Sequence, residues 1–461
     1  MSWFDNLRPR SGRRTANRAD GAPMVLDLGA APRSDSFGPK PRLAYDDQLP
    51  RFQSTAGDQL DPRVNDRFAA LRIKLRNAFT PSQPINDRRM FAGRVEALRS
   101  LIRAIEQQRV HAVVHGERGI GKTSVLNVLS QAARDARYLV ISISCGERSN
   151  FDETFRAVAA QIPLLFDASH GPTHADTERG GTMADLLPPA PVSTRLAGDM
   201  LARVTGTRVL IVLDEFDRCE SKDFRHAIGE LMKDLSDRAA RAQLVIAGVA
   251  ANLTELLEHI PSIQRNVLAL QLPKMTAPEV LQMVSKGEAL SGVTFDDAAS
   301  RMVVSLSVGF PYLASLISHH AGLKALDDQR SVVGEADVSA AADEALEELR
   351  GRISRRSQLQ IRDAVTHGGL EALGTLAAAA QATGGRFTLT DIAAVSHDAE
   401  EKTLNTRLVD TLAEEGMLIQ AAEDEYGRRY RFIEASVPAY LWLLSGRGKT
   451  LDGAGLAMAE A

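Results

Sequence analysis

"HGERGIGKTS", residues 115–124, follows the apolar run Val110-His111-Ala112-Val113-Val114 and leads into the amphipathic stretch "KTSVLNVLSQAARDA". Gly116-Glu117-Arg118-Gly119-Ile120-Gly121-Lys122-Thr123 satisfies G-x-x-x-x-G-K-[ST], the spacing of a phosphate-binding loop. Glycines without a Cβ let backbone N–H groups curl around a phosphate. The helix that begins near Lys122 turns its positive dipole end toward that phosphate, and Lys122 adds a mobile charge for the β and γ groups. Thr123 is then placed to ligate Mg2+. The stretch from Gly116 to Ser124 is thus expected to hold a nucleoside triphosphate, with ATP the expected cofactor alongside Mg2+.

Outward from the loop, "HAVVHG", "YLVISIS", "RVLIVLDEF" and "AQLVIAGVA" are short, β-rich apolar runs. Strands buried on both faces of a parallel sheet read this way. Stretches with helical period separate them, and that alternation predicts a doubly wound α/β core. In "RVLIVLDEFDR" the buried run Leu210–Leu213 carries Asp214 and Glu215 at its C-terminal end, the edge where open α/β sheets bind ligands. Asp214 is expected to hold Mg2+, and Glu215 to polarise the water that attacks the γ-phosphate.

After Pro273 the pattern is helical. It opens with the capping box "TAPE" (Thr276 to Glu279), and predicts a separate lid. From about Gly369, three short helices and two strands around the turn at Tyr426-Gly427 make a winged helix-turn-helix. The domains expected are a tail without structure over 1–62, a helical lead-in and linker over 63–84, and the core over 85–273. Within the core, residues 163–193 show neither period and are expected to be a flexible insertion. The lid then covers 274–350, the winged helix 351–447 and a flexible tail 448–461.

The order of "MFAGRVEAL", phosphate loop, "LIVLDEFD", "LVIAGVAANL", helical lid and winged helix resembles the AAA+ and STAND branch of P-loop ATPases. Within that branch it is similar to the replication-initiator-like ATPases of the origin-recognition type, over roughly residues 85 to 445. The resemblance implies ATP hydrolysis. It makes Gly93 and Arg94 of "FAGRVE" nucleotide contacts, Asn252 the polar sensor of the γ-phosphate, and Arg265 an arginine finger acting in trans within a homo-oligomer. "GFP" (Gly309 to Pro311) resembles the motif by which STAND ATPases pack a proline, here Pro311, near the nucleotide. It stands where initiators carry a sensor arginine, and this departure implies slow turnover.

Composition bounds the partners. The 461 residues carry a net charge of −4 and two cysteines, Cys145 and Cys219, which fits a cytoplasmic chain with no disulfide framework and no membrane partner. Residues 369–447 hold seven basic and twelve acidic residues, a balance that weighs against duplex DNA, while Arg428, Arg429 and Arg431 offer a basic wing. Leu404, Leu408 and Leu412 are expected to bury one face of "EKTLNTRLVDTLAEEG", leaving Lys402, Asn405 and Arg407 outside; His319 and His320 are expected to be exposed. Two readings follow. One is a nucleotide-dependent switch that controls assembly or a protein partner through the winged helix. The other is an ATP-dependent DNA-binding or DNA-remodelling factor, and an accessory ATPase of a mobile-element or defence system is compatible with either.

Overall fold

Five parallel strands form the core sheet: β1 (His111–His115), β2 (Leu139–Ser144), β3 (Val209–Asp214), β4 (Ala242–Gly248) and β5 (Val267–Gln271), in the order β2-β3-β4-β1-β5. The computed structural model describes residues 67–81, 83–169, 180–250, 256, 261–383, 385–396, 399–414, 418–424, 427–434 and 436–451. The tail over 1–62 and Asn252 lie outside the described residues. Strands β1 and β4 are buried along their whole length, which is why they read as unbroken apolar runs. Register pairs Ser144 with Asp214 and His115 with Gly248, so the C-terminal ends of four strands come level beneath the phosphate loop.

The helices of this unit are α1 (Arg67–Ala78), α2 (Val95–Arg103), α3 (Lys122–Asp135), α4 (Phe151–Ala159), α5 (Thr194–Ala202) and α6 (Lys222–Asp237). The expected flexible insertion is anchored where it is described. Pro163 bridges to Thr182, Asp167 bridges to Val204, and Leu164, Met183 and Val192 are buried. Short 3-10 turns at Leu164–Phe166 and Met183–Leu186 have no long period, so a pattern search passes over them. Residues 170–179 of that insertion lie outside the described residues.

The lid comprises α7 (Ala277–Ser291), β6 (Thr294–Phe295), α8 (Asp297–Ser307), α9 (Pro311–Asp327), β7 (Val332–Val333) and α10 (Glu335–Gly351). Helix α7 begins at the capping box, where the Thr276 N–H donates to Glu279 Oε2 at 2.9 Å. Helix α1 belongs to this packing. Leu75 and Phe79 are buried in the lid cluster, seated over Gly322 of α9 and Gly287 of α7. A short helix of low amphipathicity is thus held by two glycine gaps that only the fold brings beneath it. The exposure expected of the two histidines is corrected. Both are half-buried, and His320 sits between Glu344 (2.7 Å) and Glu348 (3.5 Å) of α10.

The winged helix comprises α11 (Arg355–Ala382, kinked at Gly369), β8 (Arg386–Phe387), α12 (Leu389–Val395), α13 (Ala399–Glu414), β9 (Ile419–Asp424), β10 (Gly427–Phe432) and α14 (Val437–Leu451). The hairpin β9/β10 gains β8 as a third strand. On α13 the buried positions are Asn405, Val409 and Leu412, with Leu408 half-buried, while Leu404 is 50% exposed. The expected leucine face is thus rotated by one residue, because Asn405 is drawn inward to the Ser396 hydroxyl at 3.1 Å. No helix among the described residues is long and apolar enough to cross a membrane.

A Cβ at Gly287 would collide with the Phe79 ring. Alanine gains about 1 kcal/mol over glycine in a helix, but overpacking a buried ring costs about 1–3 kcal/mol. Gly287→Ala should therefore lower stability, read as an earlier denaturant midpoint. An unchanged or later midpoint would show that α1 is not seated in this groove.

Candidate nucleotide-binding site

The phosphate loop is shaped by backbone approach. Gly116 has φ 149°, and a Cβ there would stand 2.9 Å from the Leu272 carbonyl. Only glycine lets the chain leave β1 against the segment after β5. The loop then turns into α3, whose N-cap Gly121 is left-handed at φ 95°. Ile120 is buried and pins the loop from below. The Lys122 ammonium donates to the carbonyls of Gly116 (2.9 Å) and Glu117 (2.7 Å).

A cavity of about 530 Å3 opens on this loop. Arg118, Gly119, Gly121, Lys122, Thr123 and Ser124 line it from the loop side, and Asp214 and Glu215 from the end of β3. The opposite wall is the lid, with Pro311, Tyr312 and Ser315 of α9 and Met283 of α7. A Cβ on Gly119 would rest 3.6 Å from Tyr312, and one on Gly121 3.9 Å from Pro311. Pro311 therefore packs directly on the phosphate loop. Gly309 makes this possible, since its left-handed backbone passes against the Met275 carbonyl where no side chain fits.

The acidic edge is ordered by short bonds. The Glu215 N–H donates to Asp214 Oδ1 at 2.8 Å. Glu215 itself has a left-handed backbone, φ 54°, a kind of strain that clusters at functional sites. Its Oε2 accepts from Ser144 Oγ (3.0 Å) and from Arg218 (2.9 Å). Burial pushes the Lys122 ammonium down to about 8, against the opposing pull of Asp217, Asp214 and Glu117. Desolvation outweighs three carboxylates, so the site is short of negative charge at Lys122. A glycine cradle, a desolvated cation and a carboxylate edge fit a nucleoside triphosphate, and Thr123 with Asp214 supplies the hard oxygen donors that Mg2+ takes.

Several contributors lie outside the motifs. Asp217 lines the cavity, and its Oδ1 accepts from the Val249 N–H at 2.8 Å, tying the end of β3 to that of β4. The strap between α1 and α2 adds Pro81, Pro84, Ile85 and Met90, and the Ser124 hydroxyl accepts from the Ile85 N–H at 3.0 Å. Ser124 therefore has a structural partner as well as a place on the wall. Lys274 stands 5.0 Å from the Phe310 ring centroid, its ammonium pushed by burial to about 8.

Gly93 and Arg94 face the lid rather than lining this cavity. The Gly93 N–H donates to Gln282 (2.8 Å) and that of Arg94 to Glu279 (3.0 Å), both on α7. The Arg94 guanidinium is buried, with Nε and Nη2 lacking a hydrogen-bond partner among the described residues. Arg265 is exposed on the turn Pro261–Asn266 before β5 and does not line the cavity. Both cysteines are buried and free, and burial pushes the Cys145 thiol up to about 12.

These features define the core as a P-loop nucleoside-triphosphatase domain, in which a Gly-Lys-Thr loop and an Asp-Glu strand end meet at one sheet edge. Residues 91–247 match the AAA ATPase domain family, so the core is an AAA+ P-loop ATPase domain. No curated protein matches the chain. Among solved structures, the ORC1 protein of Aeropyrum pernix in complex with DNA is similar at 17% identity and TM-score 0.41, over 79% of this chain and 95% of that one. Cdc6p of Pyrobaculum aerophilum is similar at 15% identity and TM-score 0.43, over 82% and 98%. The Walker-type ATPase PABY2304 of Pyrococcus abyssi is similar at 17% identity and TM-score 0.45, over 78% and 98%.

With Lys122 near 8, about nine-tenths of the ammonium is charged at pH 7 and about one-tenth at pH 9. A bound phosphate chain restores the charge, so the binding step must take up a proton at high pH. Affinity for a fluorescent ATP analogue should be level below about pH 7 and fall about tenfold by pH 9. A profile that stays flat to pH 9 would remove Lys122 as the titrating contact.

Proposed function

We propose that the chain binds ATP with Mg2+ in the cytoplasm and works as a slowly hydrolysing nucleotide-dependent switch. In this reading the γ-phosphate sets the lid and winged helix in one orientation, and that orientation controls self-assembly or a protein partner. The shared wall is the observation that supports it. Pro311, Tyr312 and Ser315 line the same cavity as the phosphate loop, and Leu443 of α14 is buried in the cluster that holds the lid. A ligand that loses one phosphate there loses contacts with the lid, and differential contact is what shifts a conformational equilibrium.

The residues divide as follows. Gly116 to Ser124 hold the phosphates, Thr123 and Asp214 hold Mg2+, and Glu215 orients the attacking water. Arg265 reaches a neighbouring copy, Asn252 reads the γ-phosphate, and Gly93 and Arg94 fasten the lid over the nucleotide. When bound, Mg2+ offsets the charge that develops on the transferred phosphoryl group. Slow turnover is supported by the pairing of Glu215 with Arg218 and Ser144, from which its carboxylate must be released to meet a water.

In this scheme Lys122→Ala abolishes ATP binding, Glu215→Gln binds ATP but loses turnover, and Arg218→Ala raises turnover by freeing Glu215. Equilibrium binding and phosphate release check all three, and unchanged turnover in Glu215→Gln would refute the role given to that residue. Sizing by light scattering with and without ATP tests the assembly output. A size independent of nucleotide over a wide concentration range would end that part of the reading.

A second reading, an ATP-dependent DNA-binding factor, is favoured by the surface of α13. The acids counted against DNA turn partly inward there: Glu401 accepts from Thr375 at 2.8 Å, and Asp410 accepts from Tyr430 and pairs with Arg428. Lys402, Thr403, Leu404, Arg407 and Thr411 are left exposed. Replacing Lys402 and Arg407 by alanine should weaken duplex binding and reduce the slope of log affinity against log salt by about two. Absence of salt-dependent duplex binding by the unaltered chain would sink this reading.

A further inference from the structure

Lid and winged helix are joined by three residues, Arg352, Ile353 and Ser354, between the end of α10 at Gly351 and the start of α11 at Arg355. Each is held by a different neighbour. Ser354 caps α11, accepting from the Ser357 N–H at 3.2 Å, while its own N–H and hydroxyl donate to Glu434 after β10 at 2.9 and 2.5 Å. Ile353 is buried in the winged-helix cluster. The Gln358 amide of α11 closes the joint, donating to the Arg350 and Ile353 carbonyls at 2.9 Å each. None of the three residues is a glycine, and the backbone is hydrogen-bonded on both sides, so the joint has little freedom to absorb a turn of α10.

The Arg352 side chain runs the other way, into the lid. Its guanidinium lies over the Tyr312 ring, 5.2 Å from the centroid, and pairs with Glu348 of α10 at 2.5 Å. Glu348 also faces His320 of α9 at 3.5 Å, which braces the pair between two lid helices. With its charge met by Glu348, the guanidinium is placed for stacking rather than for binding an anion. Tyr312, in the first turn of α9, lines the nucleotide cavity, and a Cβ on Gly119 of the phosphate loop would rest 3.6 Å from it. Three contacts in series thus lead from the phosphate loop to the winged helix: Gly119 to Tyr312, Tyr312 to Arg352, and Arg352 to the joint of which it is part. Leu443 of α14 also packs on the lid, but it does not line the nucleotide cavity.

We propose that Arg352 is a positioning residue that carries the nucleotide state of the core to the winged helix through its stacking on Tyr312. The inference rests on the switch reading above and names the contact by which that switch acts. A triphosphate fills the space between the phosphate loop and the first turn of α9, and so holds the ring where Arg352 stacks on it. Loss of the γ-phosphate lets the ring shift, and Arg352 either follows with the joint or gives up the stack; this difference in contacts between the two states is what biases the winged helix. A cation over a ring needs the ring face and not the hydroxyl, so phenylalanine serves at position 312 and leucine does not.

The test is a distance measured by double electron–electron resonance in the full chain. Nitroxide labels are attached at two exposed sites, Ala160→Cys of the core and Ala422→Cys of the winged helix, while the buried Cys145 and Cys219 stay unlabelled. Distances are compared at saturating Mg2+ with a non-hydrolysable ATP analogue and with ADP. The two nucleotides should give different distances in the labelled parent and in Tyr312→Phe, and the same distance in Arg352→Ala and in Tyr312→Leu. A fluorescent ATP analogue should still bind Arg352→Ala, which separates lost coupling from lost folding, and the two disruptive variants lie in different elements. A difference that survives in Arg352→Ala or Tyr312→Leu, one that vanishes in Tyr312→Phe, or loss of analogue binding in Arg352→Ala would overturn the proposal and leave the switch reading standing. No difference in the parent would overturn the switch reading, and the proposal with it.

Discussion

The close passage of backbone at the phosphate loop is the constraint on which the rest of this structure depends. The loop leaves β1 under the Leu272 carbonyl and runs beneath Pro311 and Tyr312 of α9, with no room for side chains at Gly116 and little at Gly119 and Gly121. One surface therefore serves as cradle on one side and hinge seat on the other. The lid cannot shift without changing what the loop presents, because packed interiors deform in discrete steps rather than continuously.

Charge reinforces that geometry. Each carboxylate at the sheet edge already has a local partner: Asp214 takes the Glu215 N–H, Glu215 takes Ser144 and Arg218, and Asp217 takes the Val249 N–H. Among the described residues Lys122 bonds only to carbonyl oxygens, and burial wins over its acidic neighbours. A buried cation without a full counter-charge is costly. The site thus holds a standing preference for an anion at one atom, Lys122 Nζ, while the carboxylates keep the strand ends in place.

What could be read in the sequence was local. The phosphate loop, the Asp214-Glu215 strand end, the capping box at Thr276 and the order of strands and helices all depend on neighbours within a few residues, and each stands where its pattern placed it. What could not be read depends on distant partners. Asp217, Ile85 and Met283 reach the cavity only because the fold brings a turn, a strap and a lid helix to it. Leu404 was misplaced for a similar reason: periodicity counts leucines, but a hydrogen bond from Asn405 to Ser396 rotates the helix so that a polar residue faces in. Helix α1 has little amphipathicity because its partners are two glycine gaps rather than an apolar plane.

The strap makes a second join between lid and core. Helix α1 is packed on α7 and α9 through Leu75 and Phe79, and the chain that follows is fastened to α3 by the Ile85 N–H on Ser124 and by Asn86, whose side-chain oxygen accepts from Asn127 at 2.6 Å. Lid and phosphate-loop helix are thus joined twice, by the loop under Pro311 and by the strap over Ser124. The two contacts lie on different sides of the cavity. Leu443 of α14 is buried in the same cluster as Leu75 and Phe79, so the winged helix packs on the lid as well.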